Sequence, residues 1–573
     1  MTIPSRRGLL FLVSLLLTVG CAPTSTSVQQ EQGPKAGASL APKTLRIALD
    51  LSHEPKEGFM IFGGGGVGGT EHSLMFHAGL TIYDADGELQ PRLARKVPTI
   101  EDGDWRVLAD GTMEVTWKLR SDARWHDGAR LTADDFALGM QILLDPELPA
   151  RRARGANLVT RTFAPDPETL VMVWKQPYML ANAVGIEQAP AVAYHLMADF
   201  YGQADKPTLI NSPYWARDFV GLGPYRLASW ELGSHIEALA VDHYLFGRPK
   251  IDRLILRYFG SPNTLVANLL SGDVDIAPLG SSLDASHLVT VKQAWDPADV
   301  GTATAMPRGV RDIYLQFRDP SAPWARDVRV RRAFAHMTDR EVFVEALQFG
   351  LTTPAHTNIT REDPAYRLLE QRGLPTYPYD MVLAERLLAD AGWIRGADRG
   401  FQNSAGQRLG IEVAGTNRGD APKEIEALAG QWAGAGLQTT AAQVNAGAAN
   451  YEELRANVKG TFLFNWTIRP DAAEAMTTAQ VATEATRWRG SNFSGYSNPA
   501  YDRLYDQYTV TLELGKRQEA LAEVMRLGAE DVSTIPIYYL TSPLIFRKGI
   551  RGPGMAPPVQ LASAWNIHTW EMD

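Results

Sequence analysis

Chemistry is sought first where reactive residue types fall at meaningful spacings. The run Gly63-Gly-Gly-Gly-Val-Gly-Gly-Thr70 approaches the pattern of a phosphate-binding loop, but Gly69 stands where that chemistry needs a lysine. Backbone N–H groups could still face an anion there, yet the run reads more simply as a flexible loop at the lip of a cleft. Glu71-His72 and His77 lack the His-Glu-x-x-His spacing that puts two imidazoles on one helical turn, so no metal site is expected. His126 adjoins a turn at Asp127-Gly128 and reads as a structural hydrogen-bonding group. There is no Gly-x-Ser-x-Gly elbow for a hydrolase. Cys21 is the single cysteine, which rules out an internal disulfide. No catalytic set and no cofactor are expected, and the sequence points to binding.

The elements that carry these residues are legible in part. Met113, Val115, Trp117 and Leu119 alternate with polar residues, which predicts a half-buried strand. Asp127-Gly128 breaks the chain. Thr132 and Asp135 form a capping-box pattern, with Leu131 and Phe136 placed as a hydrophobic staple. Thr338-Asp-Arg-Glu341 predicts a second capping box ahead of a helix stopped at Gly350. Asp380 caps a helix bearing Leu383, Leu387 and Leu388, and Asn498-Pro499 starts one whose Tyr501, Leu504, Tyr505 and Tyr508 share a core face. Strands alternate with helices, which argues for α/β lobes, and 573 residues exceed one ordinary core. The net charge of −9 argues against nucleic acid as a partner.

The first residues read as a targeting segment: Arg6-Arg7, an apolar stretch from Gly8 to Val19, then Gly20-Cys21. Residues 1–20 are expected to be a signal peptide, by the general or the twin-arginine route. Cys21 is expected to be lipidated, with 21–43, rich in Ser, Thr, Gln, Pro and Gly, as a flexible tether. No later apolar run is long enough to span a bilayer.

The strand–Trp-His-Asp-Gly–Leu-Thr-Ala-Asp-Asp unit ending at Asp135 resembles the signature of the family 5 extracellular solute-binding proteins, the peptide-binding receptors of ATP-driven importers. Further blocks agree in order, among them the Asp86-Gly87 turn, Gly221-Leu-Gly-Pro-Tyr-Arg226, Ser271-Gly-Asp-Val-Asp-Ile276, Asp327-Val-Arg-Val-Arg-Arg-Ala-Phe334, Ala391-Gly-Trp393 and Asn492-Phe-Ser-Gly-Tyr-Ser-Asn-Pro499. The resemblance implies a two-lobed periplasmic-binding-protein-like α/β fold (type II, large) with an additional inserted domain. It implies a base lobe of 44–80, 206–305 and 541–573, an inserted domain at 81–205, and a ligand-closing lobe at 306–540.

It also implies a ligand-facing set: Asn465, Trp466, Arg469, Asp471, Asn492, Tyr496 and Arg154. In peptide-binding relatives a Trp-x-x-Asp grips the ammonium of the peptide; here Trp466 matches and Arg469 replaces the aspartate. Three readings stay open. Arg469 binds an anion, Arg469 pairs with Asp471 as structure, or Asp471 takes over the ammonium. Arg151-Arg152-Ala-Arg154 and Arg487-Trp-Arg489 would add positive charge if they converged on the cleft, and otherwise read as solvated surface. The expectation is a monomeric, lipid-anchored receptor in the cell envelope, delivering a peptide or other small solute, an anionic one included, to permease and ATPase subunits. A sensing or chaperone-like lipoprotein and an extracytoplasmic hydrolase are the alternatives.

Overall fold

The structure, a computed structural model, describes residues 41–573 apart from 57, 63–66, 151–154 and 555–561, with the side chains of 67–70 and 467 also left aside. The targeting segment, Cys21, nearly all of the tether, Gly63–Gly66 and Arg151–Arg154 therefore lie outside the described residues.

Ten strands form one mixed sheet. From edge to edge they run Gln438–Val444, Gly410–Thr416, Thr461–Thr467, Gly301–Leu315, Thr534–Arg547, Ile276–Ala277, Thr44–Asp50, Arg253–Phe259, His235–Ala240 and Tyr225–Glu231. Thr44–Asp50 lies deep in this sheet, parallel to Arg253–Phe259, and its Leu45, Ile47, Ala48 and Leu49 are all fully buried. An apolar run of that kind suits a strand covered on both faces.

The strands Gly301–Leu315 and Thr534–Arg547 pair antiparallel over nearly their whole lengths. Their two ends belong to different cores. Met306 and Leu544 pack with Leu45, Ile47 and Phe76. Ile313, Ile535 and Ile537 pack with Phe334, Leu428 and Trp432 from the helices Val328–His336 and Ala421–Gly434.

A separate antiparallel sheet holds Trp105–Val107, Met113–Lys118, Thr169–Trp174 and Val159–Asp166. The predicted alternation is present: Met113, Val115 and Trp117 are buried with Phe136 of the helix Ala133–Leu144. Asp135 accepts the Thr132 backbone N–H at 2.7 Å, as the capping box requires. The expectation at Thr338 is corrected. The helix runs Arg340–Gln348 with Asp339 as N-cap, because the Thr338 hydroxyl is turned back to donate to the Phe334 carbonyl at 2.8 Å.

Candidate functional site

Thr461–Thr467 lies against Gly301–Leu315 with Val310 opposite Trp466 and Arg311 opposite Asn465. Strand alternation then sends these two neighbours to opposite faces. Trp466 is buried with Val310, Tyr501 and Tyr539. Asn465 faces the other way, where its Oδ1 accepts from Arg311 at 2.8 Å. That side carries a buried network in which Arg311 pairs with Glu424 and the Tyr538 hydroxyl donates to the same carboxylate.

Past the strand, the Tyr508 hydroxyl donates to the Pro470 carbonyl and fixes the turn. Arg469 Nε lies 3.1 Å from Asp471 Oδ1, the arginine half exposed and the aspartate largely covered. Arg469 and Asp471 thus form an ion pair.

This turn meets the N-terminal half of the chain. The Met179 backbone N–H donates to Thr509 at 2.8 Å, and Arg517 donates to the Met179 carbonyl at 3.0 Å. Tyr83 lies near enough to feel both Arg517 and Asp471, and burial pushes its phenol up to about 12. Tyr83, Met179, Asp471, Tyr508 and Arg517 therefore converge from the two halves.

Three of the expected residues make hydrogen bonds within the scaffold. Asn492 is 1% exposed and donates to the Thr477 and Tyr496 carbonyls at 3.0 and 2.8 Å, while its Oδ1 accepts from Ser494 and Gly495. Tyr496 is buried and donates to Asp531 at 2.8 Å. Asn465 is likewise held by Arg311, on the face away from Trp466. Arg487 and Arg489 are exposed, and Arg154 lies outside the described residues.

A small cavity opens beside Trp466, walled by His356, Asn358, Tyr501, Thr534 and Arg340. All of its walls belong to the C-terminal half. Among the described residues the Trp466 indole N–H and His356 Nδ1, both on its wall, have no hydrogen-bond partner. Burial holds the His356 imidazole down to about 4, with Arg340 and Arg361 adding to the effect, so it is neutral at physiological pH. The cavity has an aromatic wall and polar atoms, with room for a water-sized group.

One residue of this region escaped the sequence reading. Arg308 lies on Gly301–Leu315 between Pro307 and Gly309 at a break in the pairing register. Proline and glycine flanking an arginine inside a strand pattern were the available signal.

The comparisons with known proteins agree with the fold. The model of the bacterial extracellular solute-binding proteins, family 5 (middle region), matches residues 88–487. The chain belongs to that family. A Brucella ovis protein named for peptide binding in ABC transport is 26% identical over 290 residues, so the match spans half of this chain and half of that relative. The oligopeptide-binding protein AppA of Bacillus subtilis is 21% identical over 513 residues, 87% of each chain. Among solved structures, NikA of Brucella suis with Fe(III)-EDTA superposes with a TM-score of 0.74 at 17% identity, over 92% of this chain and 100% of that one.

Proposed function

We propose that this chain is the solute-capturing component of an ATP-driven importer, closing two lobes over a peptide or other small solute and passing it to permease and ATPase subunits. Membership of the solute-binding family carries the reading. Two long strands joining separate cores support it, because two crossings are what a two-lobed closing receptor needs. On this reading 44–80, 206–305 and 541–573 make the base lobe, 81–205 the inserted domain and 306–540 the closing lobe. Residues 1–20 are removed on export, and Cys21 carries the lipid at the head of the 21–43 tether. The protein performs no chemistry on its cargo.

The cargo meets Trp466, Arg469 and Asp471 where the halves converge. Mass spectrometry of solute released from natively purified protein tests the capture. A small solute recovered unaltered at near-equal molar amount is expected; a chemically altered solute that keeps forming after repurification would favour the hydrolase instead. The ion pair sets the sign of a second test. Arg469→Ala uncovers the charge of Asp471, so calorimetry should show acidic solutes binding about tenfold more weakly and solutes with a free ammonium binding unchanged or more tightly. An equal loss for both classes would remove the proposed role of the pair.

A further inference from the structure

The long strand Gly301–Leu315 first loses register around Arg308. Pro307 pairs with Thr541 and Gly309 with Leu540, which leaves Arg308 as an extra residue without a counterpart. That is a β-bulge, a feature that re-aims a side chain. Both flanking residues serve it. Pro307 has no N–H to lose from the ladder, and a Cβ at Gly309 would lie 2.6 Å from the Trp466 carbonyl oxygen.

The bulge falls where the strand passes from one core to the other, between Met306 and Val310. On its other side Gly309 pairs with Thr467, so Arg308 sits beside the point where the chain enters the Ile468–Asp471 turn. Its side chain is partly buried. Among the described residues its guanidinium makes no hydrogen bond, ion pair or ring contact, unlike the buried Arg311, Arg331, Arg340 and Arg455, which all donate to carboxylates or carbonyls. Burial alone lowers the Arg308 pKa from its ordinary value, with no charge nearby to offset it. Desolvating a cation without a fixed counter-charge opposes folding, and perturbed charged groups of this kind cluster at binding sites.

We propose that Arg308 is the anion-binding residue of the inter-lobe site, receiving a carboxylate or phosphate group of the cargo in the two-pronged geometry that a guanidinium offers. The inference rests on the reading that a solute is held where the two halves meet, and it moves the decisive cation from Arg469, already engaged by Asp471, to the strand that joins the lobes.

The test uses the purified full chain, stripped of bound solute by partial unfolding and refolding. The probes are a tripeptide pool as free acids, the same pool as C-terminal amides, citrate, and inorganic phosphate. Each is tested by thermal shift and then calorimetry on wild type, Arg308→Gln and Arg308→Lys. At least one acid is expected to bind wild type ten-fold or more tightly than the amidated pool. Arg308→Gln should erase that advantage, and Arg308→Lys should keep part of it, since charge remains while the fork is lost. Whether the free-acid pool, citrate or phosphate responds identifies the source of the anion. Without solute, Arg308→Gln should melt no lower than wild type, because the deleted cation had no partner. Amides that bind as well as acids, in both wild type and Arg308→Gln, would overturn the role of Arg308 and leave peptide capture standing. A solute-free Arg308→Gln that melts well below wild type would make the residue structural. Failure of every probe on wild type would overturn the anion site, while solute released from the native protein would still uphold capture.

Discussion

At the scale of single residues, the most consequential burial beside the site is that of Arg311 and Glu424, whose side chains are 8% and 2% exposed. Arg311 also donates to Asn465, and Tyr538 donates to Glu424. Desolvation is the largest influence on Arg311 and lowers its pKa, but Glu424, Tyr538 and Asp420 together more than offset it and raise it, while burial first and Glu424 second push the Tyr538 phenol well above its ordinary value. Such a pair is of uncertain net worth intact, but removing one partner strands the other. Glu424→Leu is therefore expected to destabilise the C-terminal half by about 3–5 kcal/mol in urea unfolding. The double variant Arg311→Met with Glu424→Leu should recover much of that loss. Because the network lies on the sheet face opposite Trp466, solute affinity in the double variant should stay within about threefold, less than one net hydrogen bond. A double variant as unstable as the single one would show that the lost packing, and not the stranded charge, sets the cost.

At the scale of elements, the Trp125–Asp135 unit shows what a local sequence can announce. The strand, the turn with Gly128 in the left-handed region and the capped helix are all present. His126 is structural as expected, and its partners reveal why two distant blocks belong together. Its Nδ1 accepts the Gly221 N–H at 3.1 Å, and its Nε2 donates to the Gly223 carbonyl at 3.1 Å. A Cβ at Gly221 would lie 1.9 Å from the Phe76 carbonyl oxygen, so this loop admits only glycine. Burial, chiefly, holds the imidazole down to about 4. A lowered pKa gives stability that is present above the ordinary 6.5 and is lost as pH falls toward 4, up to about 3 kcal/mol here. His126→Asn should cost stability at pH 7, and the gap in melting temperature to wild type should close as pH falls from 6.5 to 4. A gap constant with pH would mean that the ring titrates alike in the folded and unfolded protein, so that burial does not lower its pKa. Legibility ended where register began. Caps, turns and alternation depend on neighbours a few residues apart, so Asp380, Asn498 and the Met113–Lys118 strand could be read directly. That Asn465 faces away from Trp466's cavity, that Asn492 is spent on the backbone, and that Arg308 sits on a bulge all depend on pairings between strands far apart in sequence.

At the scale of the whole molecule, the two halves meet through Met179. Its N–H donates to Thr509, its carbonyl accepts from Arg517, and its side chain is buried in the core cluster that also holds Trp466, Tyr505 and Tyr508. A residue from the N-terminal half thus plugs into the core of the C-terminal half. On the proposed capture between two lobes, a receptor that opens to load cannot make this latch strong, and one net hydrogen bond contributes only about 1 kcal/mol. Removing the Arg517 contact should therefore shift the balance between open and closed forms without unfolding either. Arg517→Ala is expected to increase the radius of gyration of the solute-free protein in small-angle scattering. It should also weaken solute binding about fivefold, mainly through faster release, because a closed form that is rarer when empty lowers the apparent affinity by the same factor. Saturating solute should restore the compact radius, since the ligand's preference for the closed form is independent of the latch. If the scattering profile and the release rate both match wild type, the Met179 contacts follow closure and do not govern it.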